Sequence, residues 1–183
     1  MYHELRKRGT SLRVAVIGAS EVTTDIPEYR PLGRLYPEKE YDKRTRGLGA
    51  TAAVPVTSGA EENLLCYSTD RYRGENIFVH EFSHSIKRLG LDVIDPGFRA
   101  RVQEAYDHAR LNGLWTPTYS MANAEEYWAE GVQSYFDANR FADPPNGIHN
   151  AVNTRAKLES YDPALFALID RAFAGTSWKP RCP

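Results

Sequence analysis

The chain has 183 residues, with 23 basic and 24 acidic side chains and a formal net charge of −1. Because this balance implies no strongly basic face, we expect no binding to nucleic acid or to an anionic membrane. No apolar run approaches the roughly 18 residues that a membrane span requires. The length predicts one domain over residues 1–183, with enough chain to bury a core.

The first 74 residues are predicted to be rich in strands and loops. Residues 12–19 are β-branched and apolar, which predicts a buried first strand. Residues 49–57 are small and apolar, but Pro55 has no N–H to donate to a sheet. This strand is therefore predicted to end at Pro55 or to lie on an edge. Residues 63–67 (NLLCY) predict another short strand.

Residues 75–89 contain the sequence His80-Glu81-Phe82-Ser83-His84. Because residues four apart share one face of a helix, His80 and His84 could hold one metal ion. Glu81 would lie beside that face, where its carboxylate could reach a water on the metal. This H-E-x-x-H pattern is typical of zinc hydrolases in which the glutamate is the general base. An apolar stripe on the other side supports the helix, and Gly90 is predicted to end it: Phe78, Phe82, Ile86 and Leu89.

Residues 75–183 are predicted to be mainly helical. Asp95-Pro96 begins an amphipathic helix that ends near Asn112-Gly113. Asn123 caps a second helix (AEEYWAEGVQSYFDANR), and Asp162-Pro163 begins a third that stops at Gly175. The helical periodicity predicts ten core positions in the first two of these helices: Phe98, Val102, Ala105, Tyr106, Ala109, Tyr127, Trp128, Val132, Tyr135 and Phe136.

A catalytic zinc site needs a third protein ligand besides the two histidines. A third histidine six residues after His84 is excluded, because Gly90 occupies that position. The carboxylates on the Asn123 helix are the other candidates, and Glu126 and Glu130 share one face whereas Glu125 points about 100° away. Glu126 is favoured as the ligand, with Glu130 accepting the free ring N–H of a ligating histidine. The alternative for Glu126 is a capping box with Asn123.

The segment from Glu75 to about Phe136 resembles the catalytic domain of anthrax lethal factor and its relatives, which include the Pro-Pro endopeptidases. In that family a tyrosine stands seven residues before the glutamate ligand, as Tyr119 does before Glu126, and the glutamate opens a segment like EYWAE. The resemblance implies an α+β zincin-like fold of the gluzincin type, in which an edge strand packs on the metal helix. It also implies a zinc endopeptidase that acts on peptide or protein substrates.

The resemblance assigns a role to each matching residue. It implies that His80, His84 and Glu126 bind Zn²⁺, that Glu81 activates the water and that Tyr119 stabilises the oxyanion. It places Glu130 behind the ligands and an extended substrate along residues 48–54. A phenol beside the metal is a suitable oxyanion donor on general grounds as well. The open alternatives are a zinc-containing binding or toxin domain without activity and a hydrolase of a non-peptide amide.

Three further features are a histidine, the two cysteines and the N-terminus. The remaining histidine near cleft material is His149, for which a local turn contact and a substrate contact are both open. Cys66 and Cys182 are the two cysteines, so one intramolecular disulfide is possible, and two unrelated thiols are the alternative. The N-terminus does not have the pattern of a signal peptide. The family resemblance and a possible disulfide nevertheless favour secretion.

Overall fold

Strands and short helices form the first part of the chain in a computed structural model that describes residues 11–180, and longer helices form the rest. The three strands make one small mixed sheet. The predicted α+β class is therefore confirmed. Cys182 lies outside the described residues, so its pairing with Cys66 stays a prediction.

The sheet has the order β1-β3-β2, with β1 at Arg13–Ile17, β2 at Gly47–Leu48 and β3 at Val56–Ala60. Strand β3 is central, and it pairs with β1 in parallel and with β2 in antiparallel orientation. The predicted first strand is confirmed, but its predicted burial is wrong. Val14 and Val16 are 57% and 53% exposed, whereas Ile17 is buried. A β-branched composition indicates a strand but does not tell how many of its faces are covered.

The predicted strand at residues 49–57 is wrong, and so is the extent of the edge strand expected at residues 48–54. A tight turn interrupts the segment, because the Thr51 N–H donates to the carbonyl of Val54 at 2.9 Å. Strand β3 then begins after Pro55, and the short strand β2 occupies the edge. Proline lacks an N–H but keeps its carbonyl, which accepts a hydrogen bond from the N–H of Arg13 at 2.9 Å.

Short helices connect the strands. Helix α1 spans Arg30–Leu35, α2 spans Tyr41–Arg44 and α3 spans Glu61–Leu64. The strand predicted at residues 63–67 is therefore wrong. Asn63 lies in α3, where its buried side chain donates to Asp70 and to the carbonyl of Glu75, at 2.9 and 2.8 Å. These tertiary hydrogen bonds override the weak strand propensity of the segment.

The H-E-x-x-H segment forms helix α4, Ile77–Ile86. It does not end at Gly90 as predicted, because the chain continues through a π-helical turn at Lys87–Leu91 into α5, Asp92–Ile94. The Lys87 ammonium bridges this turn, since it pairs with Asp92 at 3.1 Å. The predicted apolar stripe is only partly right: Leu89 is buried, whereas Phe78, Phe82 and Ile86 are half-buried.

The C-terminal part contains four longer helices: α6 at Phe98–Leu111, α7 at Ala124–Tyr135, α8 at Arg155–Tyr161 and α9 at Pro163–Phe173. The three predicted helices α6, α7 and α9 are confirmed, although α7 ends at Tyr135 and not at Arg140, and α8 was not predicted. All ten core positions predicted in α6 and α7 are buried. Helix α9 packs closely on α7 at Gly131, where an added Cβ would lie 2.5 Å from Leu165. Across residues 11–180, no helix has the length and apolar character needed to cross a membrane.

Candidate metal centre

Helix α4 is held in place at its N-terminus and from both sides. Its N-terminus is capped by Asn76, whose side chain accepts from the Val79 N–H at 3.0 Å. On the sheet side, the Ser85 hydroxyl accepts from the N–H of Ala50 at 2.8 Å. On the opposite side, the Trp128 indole of α7 donates to the carbonyl of Ser83 at 3.1 Å. The histidine face of α4 is thereby fixed against α7.

Two glycines allow the sheet edge to lie directly on α4. A Cβ at Gly49 would lie 2.8 Å from His84 Cβ and 2.9 Å from the carbonyl oxygen of Glu81. A Cβ at Gly47 would lie 3.1 Å from Glu81 Cγ. The two distances at Gly49 are too short for a real side chain and the one at Gly47 is tight, so larger residues would push the sheet edge away from the helix. Strand β2 and α4 therefore form adjoining walls of one cleft.

Three donor atoms from α4 and α7 converge on one point. His80 Nε2 lies 3.2 Å from His84 Nε2, and Glu126 Oε2 lies 3.0 and 3.3 Å from these two nitrogens. Tetrahedral zinc with bonds of 2.0–2.1 Å separates its ligand atoms by about 3.3 Å. Among residues 11–180, this is the group whose side chains could hold a metal ion. The three side chains therefore fit zinc in spacing and in chemistry.

The hydrogen bonds behind His80 determine which ring nitrogen faces the cluster. Gln133 Nε2 donates to the carbonyl of Asn76 at 3.1 Å, so Gln133 Oε1 is the atom 2.9 Å from His80 Nδ1. Because Glu130 Oε1 also lies 3.4 Å away, Nδ1 faces only acceptors and carries the proton. A neutral His80 therefore presents the lone pair of Nε2 to the Glu126 carboxylate. Two lone pairs at 3.0 Å repel each other unless a proton or a cation lies between them.

The electrostatics of the cluster favour a positive charge. Burial alone would lower the pKa of His80, but the carboxylates of Glu126 and Glu130 outweigh it and raise this pKa well above 6.5. Burial alone would raise the pKa of Glu126, but His80 and His84 hold it well below its ordinary value. Both pKa shifts show that a positive charge among these side chains is favourable.

Glu81 and Tyr119 line the same cleft, whose volume is about 760 Å³. Within the described part of the chain, no side chain or backbone group holds the Glu81 carboxylate by a hydrogen bond or ion pair. Tyr119 is 44% exposed, and its ring centroid lies 6.5 Å from that of His80. Burial of the phenol oxygen, followed by the charges of Glu126 and Glu81, raises the pKa of Tyr119 to about 12. The phenol is therefore a proton donor at neutral pH.

Glu130 and His149 lie behind the cluster and are both buried. Glu130 Oε2 accepts from the Asn139 amide at 3.0 Å and lies 3.9 Å from His149 Nδ1. The other ring nitrogen of His149 lies 3.5 Å from Glu75 Oε1. The backbone around His149 also forms the turn that was one of its two predicted roles, since its N–H donates to Asn146.

Glu125, the other carboxylate considered, lies outside the converging atoms, with its Oε2 3.9 Å from the far ring nitrogen of His84, Nδ1. Its oxygens lie 2.6 Å from the buried ammonium of Lys87 and 2.9 Å from Arg88 Nε. The capping box considered for Glu126 is replaced as well. Asn123 caps α7 through its own side chain, at 2.9 and 3.0 Å from the N–H groups of Glu125 and Glu126. The Glu126 carboxylate instead faces His80 and His84.

Gln133 is the residue that sequence reasoning missed. It is fully buried, and its side chain is the nearest partner of His80 Nδ1. The signal was present, because Gln133 lies seven residues after Glu126 and three after Glu130 on the same face of α7.

A comparison of the chain with family models, curated proteins and solved structures finds no match.

Proposed function

We propose that this protein is a zinc-dependent endopeptidase with a zincin-like fold of the glutamate-ligand type. The observation that carries the proposal is the convergence of His80 Nε2, His84 Nε2 and Glu126 Oε2 within 3.0–3.3 Å of one another. The lethal factor resemblance points to the same three residues. Secretion, which that resemblance favours, belongs to the proposal as well.

The proposed ligands are neutral His80 and His84 and the ionised Glu126, which leave a fourth position for water. A zinc ion bound there would polarise the water and the scissile carbonyl. Gln133 and Glu130 orient His80 through its Nδ1 proton. Such support from behind a ligand fixes its tautomer and increases its basicity.

The remaining steps belong to Glu81 and Tyr119. Glu81 takes a proton from the attacking water and later delivers it to the leaving amine. A base needs a carboxylate that is not already engaged, and Glu81 meets this condition among the described residues. The Tyr119 phenol donates a hydrogen bond to the oxyanion, an interaction that contributes roughly 3–4 kcal/mol when the donor is preorganised.

The substrate is proposed to bind as an extended peptide along β2. This strand is at the edge of the sheet, and residues 45–49 line the cleft beside Glu81. An edge strand presents unpaired backbone groups to which an extended peptide can add as a further strand. A zinc-binding domain without activity needs no general base, so its glutamate could be missing or bound to another group. Glu81 is present, and among the described residues its carboxylate has no such partner.

The experiment is cleavage of a peptide library by the zinc-loaded protein, with Glu81→Gln as the matched control. Wild-type protein should cleave peptides, should lose activity to a chelator and should regain it with zinc. The Glu81→Gln variant should retain one zinc per chain without turnover. Cleavage that persists in the chelator, or in the variant, would refute the proposal. Binding of zinc without cleavage of any peptide would instead favour a zinc-containing binding or toxin domain without activity, or a hydrolase of a non-peptide amide.

A further inference from the structure

We propose that one end of the cleft is a subsite for a substrate carboxylate, formed by the guanidinium groups of Arg44, Arg71 and Arg140. The inference rests on the proposed endopeptidase function and adds a substrate class to it, namely peptides with a negative charge a few residues from the scissile bond.

The three arginines belong to one wall of the cleft that also contains His80 and Glu81. Their chain segments are joined by hydrogen bonds. The Arg71 side chain donates to the carbonyl of Lys43 at 2.7 Å, and Tyr72 donates its phenol proton to the carbonyl of Arg44 at 3.0 Å. Arg140 Nη2 donates to the carbonyl of Arg71 at 3.3 Å. Three segments that are distant in sequence are therefore joined, and each contributes one arginine to the lining of the cleft.

Two carboxylates in the segments that carry Arg44 and Arg71 are already engaged. Glu62 forms a two-pronged pair with Arg46 at 2.6 and 2.8 Å. Asp70 accepts from the Asn63 amide and from the N–H of Tyr72, both at 2.9 Å. Within residues 11–180, neither Arg44 nor Arg71 has a carboxylate partner. Arg44 and Arg71 therefore bring unpaired positive charge to the lining of the cleft.

Arg140 is engaged only in part. Its Nη2 lies 3.7 Å from Glu75 Oε1, which is longer than a good ion-pair contact, and its Nε is buried without a hydrogen-bond partner. A buried polar atom without a partner requires an explanation. A ligand carboxylate would supply one, because it can accept from two nitrogens of a guanidinium at once.

A chain of contacts connects this wall to the metal cluster. It runs from Arg140 through Glu75, His149 and Glu130 to His80, with separations of 3.7, 3.5, 3.9 and 3.4 Å. An extended peptide advances about 3.3 Å per residue. Because the arginines and Glu81 line the same cleft, a substrate residue a few positions from the scissile bond could reach the arginines. The carboxylate could be a side chain or the peptide's C-terminus, and the test distinguishes these sources.

The test uses the zinc-loaded full chain and peptides that differ at one position. Glu, Gln or Lys is placed at each position around the cleavage site, and each peptide is made with a free and an amidated C-terminus. We expect kcat/KM to be roughly fivefold higher for Glu than for Gln at one position, from two or three exposed ion pairs. This preference should shrink at high salt. If only the free C-terminus confers it, the subsite binds the terminal carboxylate.

The Arg44→Gln/Arg71→Gln variant should bring the Glu-to-Gln ratio close to one, and Arg44→Glu should favour the Lys peptide. The matched control is Arg34→Gln, which changes an exposed arginine outside the cleft and should keep the wild-type ratio. Fluorescence anisotropy of peptide binding to the Glu81→Gln variant tests the subsite independently of turnover. If no peptide is cleaved but acidic peptides bind more tightly, the proposed function fails and the subsite stands. Equal binding and equal cleavage of the Glu and Gln peptides would overturn the subsite.

Discussion

Substitution of Gln133 by leucine should weaken zinc binding although Gln133 is not itself a ligand. The side chain is fully buried and makes two hydrogen bonds, to His80 Nδ1 at 2.9 Å and to the Asn76 carbonyl at 3.1 Å. Leucine has a similar volume but neither polar group. The change leaves the Asn76 carbonyl without this donor, and His80 Nδ1 is left with Glu130 at 3.4 Å.

Two magnitudes follow from these lost contacts. Each lost hydrogen bond contributes about 0.5–1.5 kcal/mol net, so loss of the two should lower the free energy of unfolding of the metal-free protein by about 1–3 kcal/mol. Loss of the group that orients a metal ligand typically costs 10–100-fold in affinity. This corresponds to about 1.4–2.8 kcal/mol of zinc-binding free energy.

The assays are urea denaturation of the metal-free protein and zinc titration in competition with a chromophoric chelator. Tyr135→Phe is the matched control on the same helix, because its phenol donates to Asp170 Oδ1 at 2.7 Å and takes no part in the hydrogen bonds around His80. It should lower stability without changing zinc affinity. A folded Gln133→Leu protein with wild-type zinc affinity would refute the positioning role.

Three further outcomes are expected. Glu126→Ala should reduce zinc binding below one ion per chain in metal analysis, and unchanged metal content would show that another group is the third ligand. Tyr119→Phe should lower kcat about 10²–10³-fold with little change in zinc content, whereas unchanged kcat would remove the phenol from the mechanism. In the metal-free protein, Glu126 and Glu130 raise the pKa of His80 above 6.5 against the opposing effect of burial. The stability from this shift is fully present below pH 6.5 and is lost as pH rises through the raised pKa. The melting temperature should therefore fall above pH 6.5, and His80→Gln should flatten that fall.

Helices with a strong apolar period were predictable from the sequence. Positions such as Val102 and Tyr127 recur every three or four residues, and this recurrence alone places them in the core of α6 and α7. The strands were less predictable, because residues 49–57 and 63–67 are short and their structure depends on distant partners. Asn63, for example, lies in a helix held by Asp70 and by the backbone at Glu75.

The residues of the candidate site were predictable from the sequence, but the side chains that orient them were not. The spacing of His80 and His84 and the shared face of Glu126 and Glu130 follow from helical geometry. The sequence pattern does not contain the distance between α4 and α7, so the role of Gln133 appears only when the two helices are packed. The predicted end of the metal helix at Gly90 was wrong for a similar reason. Gly90 lies inside the π-helical turn, which the ion pair between Lys87 and Asp92 spans.

Anomalous diffraction at the zinc absorption edge, from crystals of the zinc-loaded protein, tests the central claim most directly. The account predicts one zinc ion within about 2.0–2.2 Å of His80 Nε2, His84 Nε2 and Glu126 Oε2, with a water in the remaining position beside Glu81. Zinc bound at other residues, or a site in which Glu126 makes no bond to the ion, would contradict it.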